Sequence, residues 1–158
     1  MTSIRRGTLL LLLVAGACDR QSRETVRRWL LCIECVSGEM DAVLALGRRA
    51  IPPLKEALAG LSPSDSVSAI TRFAADHQAL TRWRSEHPAP AQPNLPDSTT
   101  YVNRYFSNLA TSYQARAAAA LHSLHTPESD DALKAFWERD SLLLHPGARR
   151  LVDSLVTP

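Results

Sequence analysis

Ser98–Leu124, STTYVNRYFSNLATSYQARAAAALHSL, decides the fold. Its apolar residues Val102, Tyr105, Phe106, Leu109, Tyr113, Ala117, Ala120, Leu121 and Leu124 recur every three or four positions, the spacing that lines one face of an α-helix. The rhythm lasts about seven turns, and Ser98 or Thr99 can cap its start. A helix this long needs other helices along its apolar side, and the flanking segments repeat the same period.

Upstream, Glu24 to Val36 places Val26, Trp29, Leu30, Ile33 and Val36 on one face, and Ser37-Gly38 ends the run. EMDAVLALG and AIPPLKEALAGL read as two short helices broken at Gly47, with Pro52 and Pro53 confined to the first turn of the second. A further helix capped near Ser64 carries Val67, Ile70, Phe73, Leu80 and Trp83 on one side. Four prolines, Pro88, Pro90, Pro93 and Pro96, mark residues 86–98 as a linker. Downstream, Thr126-Pro127 opens a helix with Leu133, Phe136 and Trp137 inward, and His145-Pro146-Gly147 divides it from a last helix bearing Leu151, Val152 and Leu155. No segment alternates with period two over a useful length. The expectation is an all-α chain of about six or seven helices, with helical hairpins in 24–85 and in 99–158 packed as one domain.

Two stretches, Ala42–Leu58 (AVLALGRRAIPPLKEAL) and Ala115–Phe136 (ARAAAALHSLHTPESDDALKAF), resemble HEAT repeats. In that family an Ala- and Leu-rich helix turns at a Gly, Asp or Pro corner into a second helix with a Leu-rich inner face. Ala42, Leu46, Gly47, Pro52, Leu54 and Leu58 fall on the pattern in the first stretch, and Ala119, Leu121, Leu124, Pro127 and Leu133 in the second. The first has a shortened corner, and the second carries His122 and His125 where small residues are common. The resemblance implies a short stack of hairpins capped by the first and last helices. The alternative is an irregular helical bundle.

The N-terminus, MTSIRRGTLLLLLVAGAC, has a basic start at Arg5 and Arg6, an apolar run from Leu9 to Val14 and small residues before Cys18. These are the three parts of a secretory signal, expected over residues 1–17 and too short for a permanent membrane span. Val14-Ala15-Gly16-Ala17-Cys18 resembles the lipobox of bacterial lipoproteins, with Ala15 where a leucine is usual. The resemblance implies that Cys18 becomes the acylated first residue, followed by a short tether through residue 23, and that the protein is held at a membrane in the cell envelope. Ala15-Gly16-Ala17 also suits ordinary signal cleavage, which would leave the same first residue without lipid.

The 158 residues fit one domain, and 45% hydrophobic content excludes wholesale disorder. The 18 basic side chains, less Arg5 and Arg6, leave 16 against 16 acidic ones, so the formal surplus belongs to the signal. The basic pairs Arg27-Arg28, Arg48-Arg49 and Arg149-Arg150 stand among acids. Nucleic acid is therefore not an expected partner.

Cys32 and Cys35 form the chain's Cys-x-x-Cys, and three readings meet there. A thioredoxin-like centre wants its reactive thiol at a helix N-terminus, whereas this pair lies at a helix C-terminus beside Glu34. A zinc site would need to recruit His122 and His125 from a distant hairpin, far from compact finger spacing. A disulfide between Cys32 and Cys35, or two structural thiols, is the plainer reading. His77 flanks an apolar face, and His87 and His145 precede prolines in turns. Trp29, Trp83 and Trp137 read as core anchors. No Gly-rich phosphate loop, His-Glu-x-x-His or Gly-x-Ser-x-Gly occurs, and no catalytic residue or cofactor is expected. The expected function is that of a non-enzymatic, membrane-anchored scaffold with a protein partner. The alternative is metal binding or thiol exchange through Cys32 and Cys35.

Overall fold

The computed structural model describes residues 19–33, 38–88 and 93–157. The signal region 1–17, Cys18 and Cys35 lie outside them. Those described residues form an all-helical fold with no strand: α1 (19–31), α2 (Gly38–Leu44), α3 (Ile51–Leu58), α4 (Pro63–Glu86), α5 (Ser98–Ser123), α6 (Pro127–Asp140) and α7 (Pro146–Val156). Short 3₁₀ turns at Gly47–Ala50 and Ser141–Leu143 lead into α3 and out of α6.

Helix α5 is the axis. Ala117, Ala118, Ala120 and Leu121 are fully buried, and the small alanine side chains let neighbouring helices approach its backbone closely. α3, α4, α6 and α7 all pack on it, α2 touches it, and α3 also lies against α6. The main core gathers Val26, Trp29 and Leu30 of α1, Val43, Leu54 and Leu58 from the α2–α3 hairpin, and Leu133, Phe136, Ala148 and Val152 from α6 and α7. Segments 24–85 and 99–158 therefore share one core. A smaller cluster of Ala69, Phe73 and Leu109 joins α4 to the first half of α5.

A buried amide fixes the relative positions of these helices. The Gln114 side chain is 3% exposed; its Nε2 donates to the carbonyls of Leu58 (2.9 Å) and Leu143 (3.0 Å), and its Oε1 accepts from the backbone N–H of His145 (2.7 Å). One side chain thus satisfies the end of α3, the end of the second 3₁₀ turn and the start of α7, groups that would otherwise be costly to bury.

Several expectations change. Residues 19–23, expected as a tether, are already helical, because Ser22 and Val26 are buried and draw the start of α1 into the fold. α1 ends at 31, so Ile33 lies beyond it and is exposed. The caps sit earlier than expected. Ser62 caps α4 by accepting from the Asp65 N–H, with Pro63 as the first helical residue, and Asp97 caps α5 by accepting from Thr100. Thr126 caps α6 in a reciprocal box with Ser129, as expected of Thr126-Pro127. The α4 stripe is not inward as a whole: Phe73 is buried, but Val67 is 65% and Trp83 51% exposed. Beyond the main core α4 packs on the start of α5 through a row of rings, Phe73, His77, Tyr101 and Tyr105, and much of its surface there faces water. Residues 93–97 lead into α5 and are held to α4 by His77 Nε2, which donates to the Pro96 carbonyl (3.0 Å), and by Arg84, which donates to the Pro93 carbonyl (2.6 Å).

Gly147 marks the closest approach of α7 to α5. A Cβ there would meet Thr111 Cγ2 at 2.6 Å, and the Thr111 rotamer is pinned by its hydrogen bond to the Ser107 carbonyl. Gly147→Ala is expected to lower stability by about 1–3 kcal/mol despite alanine's better helix propensity, and Thr111→Ala to restore most of it. Equilibrium urea unfolding of the single and double variants measures this; a stabilised Gly147→Ala would show that the helices are not so closely seated. Gln114→Ala, which strips one buried and two part-buried backbone groups of their partner, is expected to cost about 2–4 kcal/mol by the same measurement.

Candidate functional site

Three surface features deserve the name of candidate site. The first is a cavity of about 390 Å³ where α1, α3 and α4 meet, lined by Arg23, Arg27, Glu56, Ser62, Asp65 and Tyr113 among others. Asp65 is almost fully buried at the first turn of α4; Arg27 reaches it with Nε (3.1 Å) and Nη2 (2.5 Å), and Ser62 Oγ donates to it at 2.8 Å. Burial alone would push the Asp65 carboxyl up, but the hydrogen bonds from Arg27 and Ser62, with the Arg27 charge, outweigh it and hold the carboxyl below its ordinary range. Burial also raises the Tyr113 phenol, assisted by the Asp65 charge. Arg23 is engaged by Glu56 at 2.6 Å. Each guanidinium in this cavity has a carboxylate, so the charges are neutralised within the fold and the cavity is a structural joint between α1 and α4.

The second is a groove of about 770 Å³ between α3 and α6. Its lining is Ile51, Pro52, Pro127, Ala132 and Ala135, with Arg48, Lys55 and Glu56 on the α3 side and Glu128 and Asp131 on the α6 side. Arg48 and Glu128 approach across one end at 3.8 Å, both largely exposed, an ion pair that water and salt loosen easily. The lining is thus apolar at its floor, with charges of both signs on the α3 wall and acids on the α6 wall.

The third is a hydrogen-bonded strap, Ser107–His145–Thr111. The Thr111 hydroxyl donates to the Ser107 carbonyl, so Thr111 Oγ1 accepts from His145 Nδ1–H (2.5 Å), which leaves Nε2 to accept from Ser107 Oγ (2.9 Å). A serine hydroxyl on an imidazole nitrogen is the elementary unit of nucleophilic catalysis. Here neither Ser107 nor His145 lines any of the described cavities, and both ring nitrogens are used in joining α5 to α7. His145, read from sequence as a solvated turn, is instead half-buried and locked; the signal missed was the Ser107-x-x-x-Thr111 pair, which presents two hydroxyls on one face of α5.

The sequence-derived site residues are dispersed. Cys32 follows the last residue of α1, at a helix C-terminus as expected, and is disulfide-bonded; both other cysteines, Cys18 and Cys35, lie outside the described residues. Its carbonyl and that of Trp29 accept from the Arg116 guanidinium. A sulfur held in a disulfide offers no thiolate to zinc. His122 and His125 lie at the α5–α6 corner with their rings edge to face, 5.7 Å between centroids. No group of three or more metal-ligating side chains occurs among the described residues. His125 adopts φ 47°, the left-handed turn that ends α5 and that glycine commonly occupies. Of the three tryptophans only Trp29 is a buried anchor; Trp137 is half-buried and Trp83 stacks on His87 at the surface.

No family model matches this chain, and no curated protein or solved structure does so either.

Two measurements check these assignments. Because its folded-state pKa lies below the ordinary 3.8, Asp65 contributes stability that is complete above about that pH and is lost as pH falls through the folded value. Asp65→Asn is therefore expected to cost about 1–3 kcal/mol at neutral pH, with the gap to the unaltered protein closing below about pH 4; a gap independent of pH would contradict the pairing. His125→Gly is expected to raise stability by about 0.5–1 kcal/mol by relieving the left-handed turn, whereas a ligand role would make that substitution costly.

Proposed function

We propose that this chain is an exported lipoprotein, anchored through Cys18, that acts as a non-enzymatic scaffold in the cell envelope by seating a segment of a protein partner in the α3–α6 groove. The observation that carries the reading is the groove itself, with an apolar lining between an α3 wall that bears Arg48, Lys55 and Glu56 and an acidic α6 wall. The packing of α3 against α6, together with α2 against α5, supports a stack of two hairpins of the kind the HEAT-like stretches imply. Such stacks present their binding surfaces along the line where successive hairpins meet.

The anchor rests on the signal region and the lipobox-like residues before Cys18. None of the described helices is long and apolar enough to cross a membrane, so attachment would fall to lipid. A lipid carried on the Cys18 sulfur occupies the atom that a disulfide would need. In the anchored protein the disulfide partner of Cys32 is then Cys35.

Two variants of the full-length chain test this in the native envelope. Cys18→Ala is expected to move the protein from the detergent phase to the aqueous phase on phase partition; unchanged partition would remove the anchor. Ala135→Trp together with Lys55→Glu is expected to block a co-purifying partner by tenfold or more while leaving the helical circular-dichroism signal intact. Partner recovery that ignores the groove variant, or substrate turnover by the purified protein, would overturn the scaffold.

A further inference from the structure

We infer that the corner between α6 and α7 is a lipid-docking surface for an anionic membrane face. Three kinds of side chain meet there around a depression of about 710 Å³. Leu142, in the 3₁₀ turn after α6, is 83% exposed, and its neighbour Leu143 is 57% exposed, although a two-leucine tip gains nothing from water. Trp137 is half-buried beside it, with the Arg149 guanidinium carbon 5.8 Å from the ring centroid. Arg149 and Arg150 form no ion pair among the described residues, and Asp153 is the one acid lining the depression. Apolar tip, aromatic edge and a surplus of cations are the three components of an interfacial surface. The leucines enter the acyl boundary, the indole sits at headgroup depth, and the arginines meet lipid phosphates.

The occupant follows from where the fold begins. This step rests on the anchor proposed above: α1 is helical from residue 19, one residue after Cys18, so the acylated cysteine has no spacer. One residue spans at most about 3.6 Å, so the body is pressed against the headgroups and one of its faces must meet them. The other large groove, between α3 and α6, has walls of both signs and gives an anionic surface no such preference. The α6–α7 corner combines exposed leucines with two arginines against the single acid Asp153, and this net positive, leucine-tipped surface is the complementary face.

Vesicle sedimentation of residues 18–158 carrying Cys18→Ser, a chain that keeps every buried core residue but no lipid, tests the surface apart from the anchor. It is expected to bind vesicles containing phosphatidylglycerol, to ignore pure phosphatidylcholine, and to release as salt rises. Arg149→Gln with Arg150→Gln should weaken binding on the order of twentyfold, and Leu142→Asp with Leu143→Asp by tenfold or more. These positions are exposed, so an unchanged circular-dichroism spectrum separates lost docking from lost folding. Failure to sediment with the anionic vesicles, equal sedimentation of the variants, or a leucine-dependent dimer by light scattering without lipid would each overturn the proposal. A chain that sediments but is never acylated in cells removes only the anchor; an acylated chain whose lipid-free form does not sediment removes only the docking surface.

Discussion

The packing of this protein depends on one buried polar constraint on one helix. Gln114 sits a third of the way from the C-terminal end of α5 and holds the ends of three other segments at once, while the alanines that follow it let α3, α6 and α7 come close enough for those bonds to form. The two features need each other. Bulkier residues at Ala117, Ala118 and Ala120 would push the neighbours out of the amide's reach, and an apolar residue at 114 would leave backbone groups of three segments buried without partners. A carboxamide supplies two N–H donors and an acceptor from one position, which neither an alcohol, with its single proton, nor a carboxylate could.

That constraint divides α5 into two working parts. Its C-terminal half is the centre of the main core, enclosed on several sides. Its N-terminal half leaves the core with α4 as a two-helix arm, held by Phe73, Leu109, a row of aromatic rings and the hydrogen bonds of His77 and Arg84 to the Pro96 and Pro93 carbonyls. The enclosed half positions the α3–α6 groove and the α6–α7 corner, because all three helices take their places from α5. Both proposed surfaces, one for a protein segment and one for lipid, are thus set by the same helix without sharing residues.

Much of this was legible in the sequence. The three-four rhythm of Val102 to Leu124 announced α5 to within a residue at either end, and Thr126-Pro127 and the paired prolines of α3 marked helix starts correctly, since caps and prolines act locally. The misreadings have one physical source, which is that periodicity gives a face without giving its partner. Val67, Ile70 and Trp83 keep helical spacing, yet α4 extends beyond the core and most of that face meets water. Conversely Gln114 gave no signal and His145 read as a turn residue, because a buried polar side chain is recognisable only once its partners, 29 to 56 positions from Gln114, are in place. The candidate site was less legible than the fold. Cys32 fell at a helix C-terminus as its context required, but the α3–α6 groove is lined by residues such as Lys55 and Asp131 from two helices brought together across a joint that no local pattern encodes.

The chemistry of three cysteines ties these strands together. With Cys32 in a disulfide, the chain has two thiols left to share between that bond and a lipid anchor, so the anchor and the bridge constrain each other. The most direct measurement is mass spectrometry of unreduced peptides from the mature protein extracted from its own membrane. The expected result is an N-terminal peptide that begins at Cys18 with the added mass of acyl chains, and a separate peptide containing Cys32 and Cys35 that gains about two mass units on reduction, one hydrogen per sulfur. A peptide joining Cys18 to Cys32 would contradict the account, since it would leave the chain no sulfur at its N-terminus to carry a lipid.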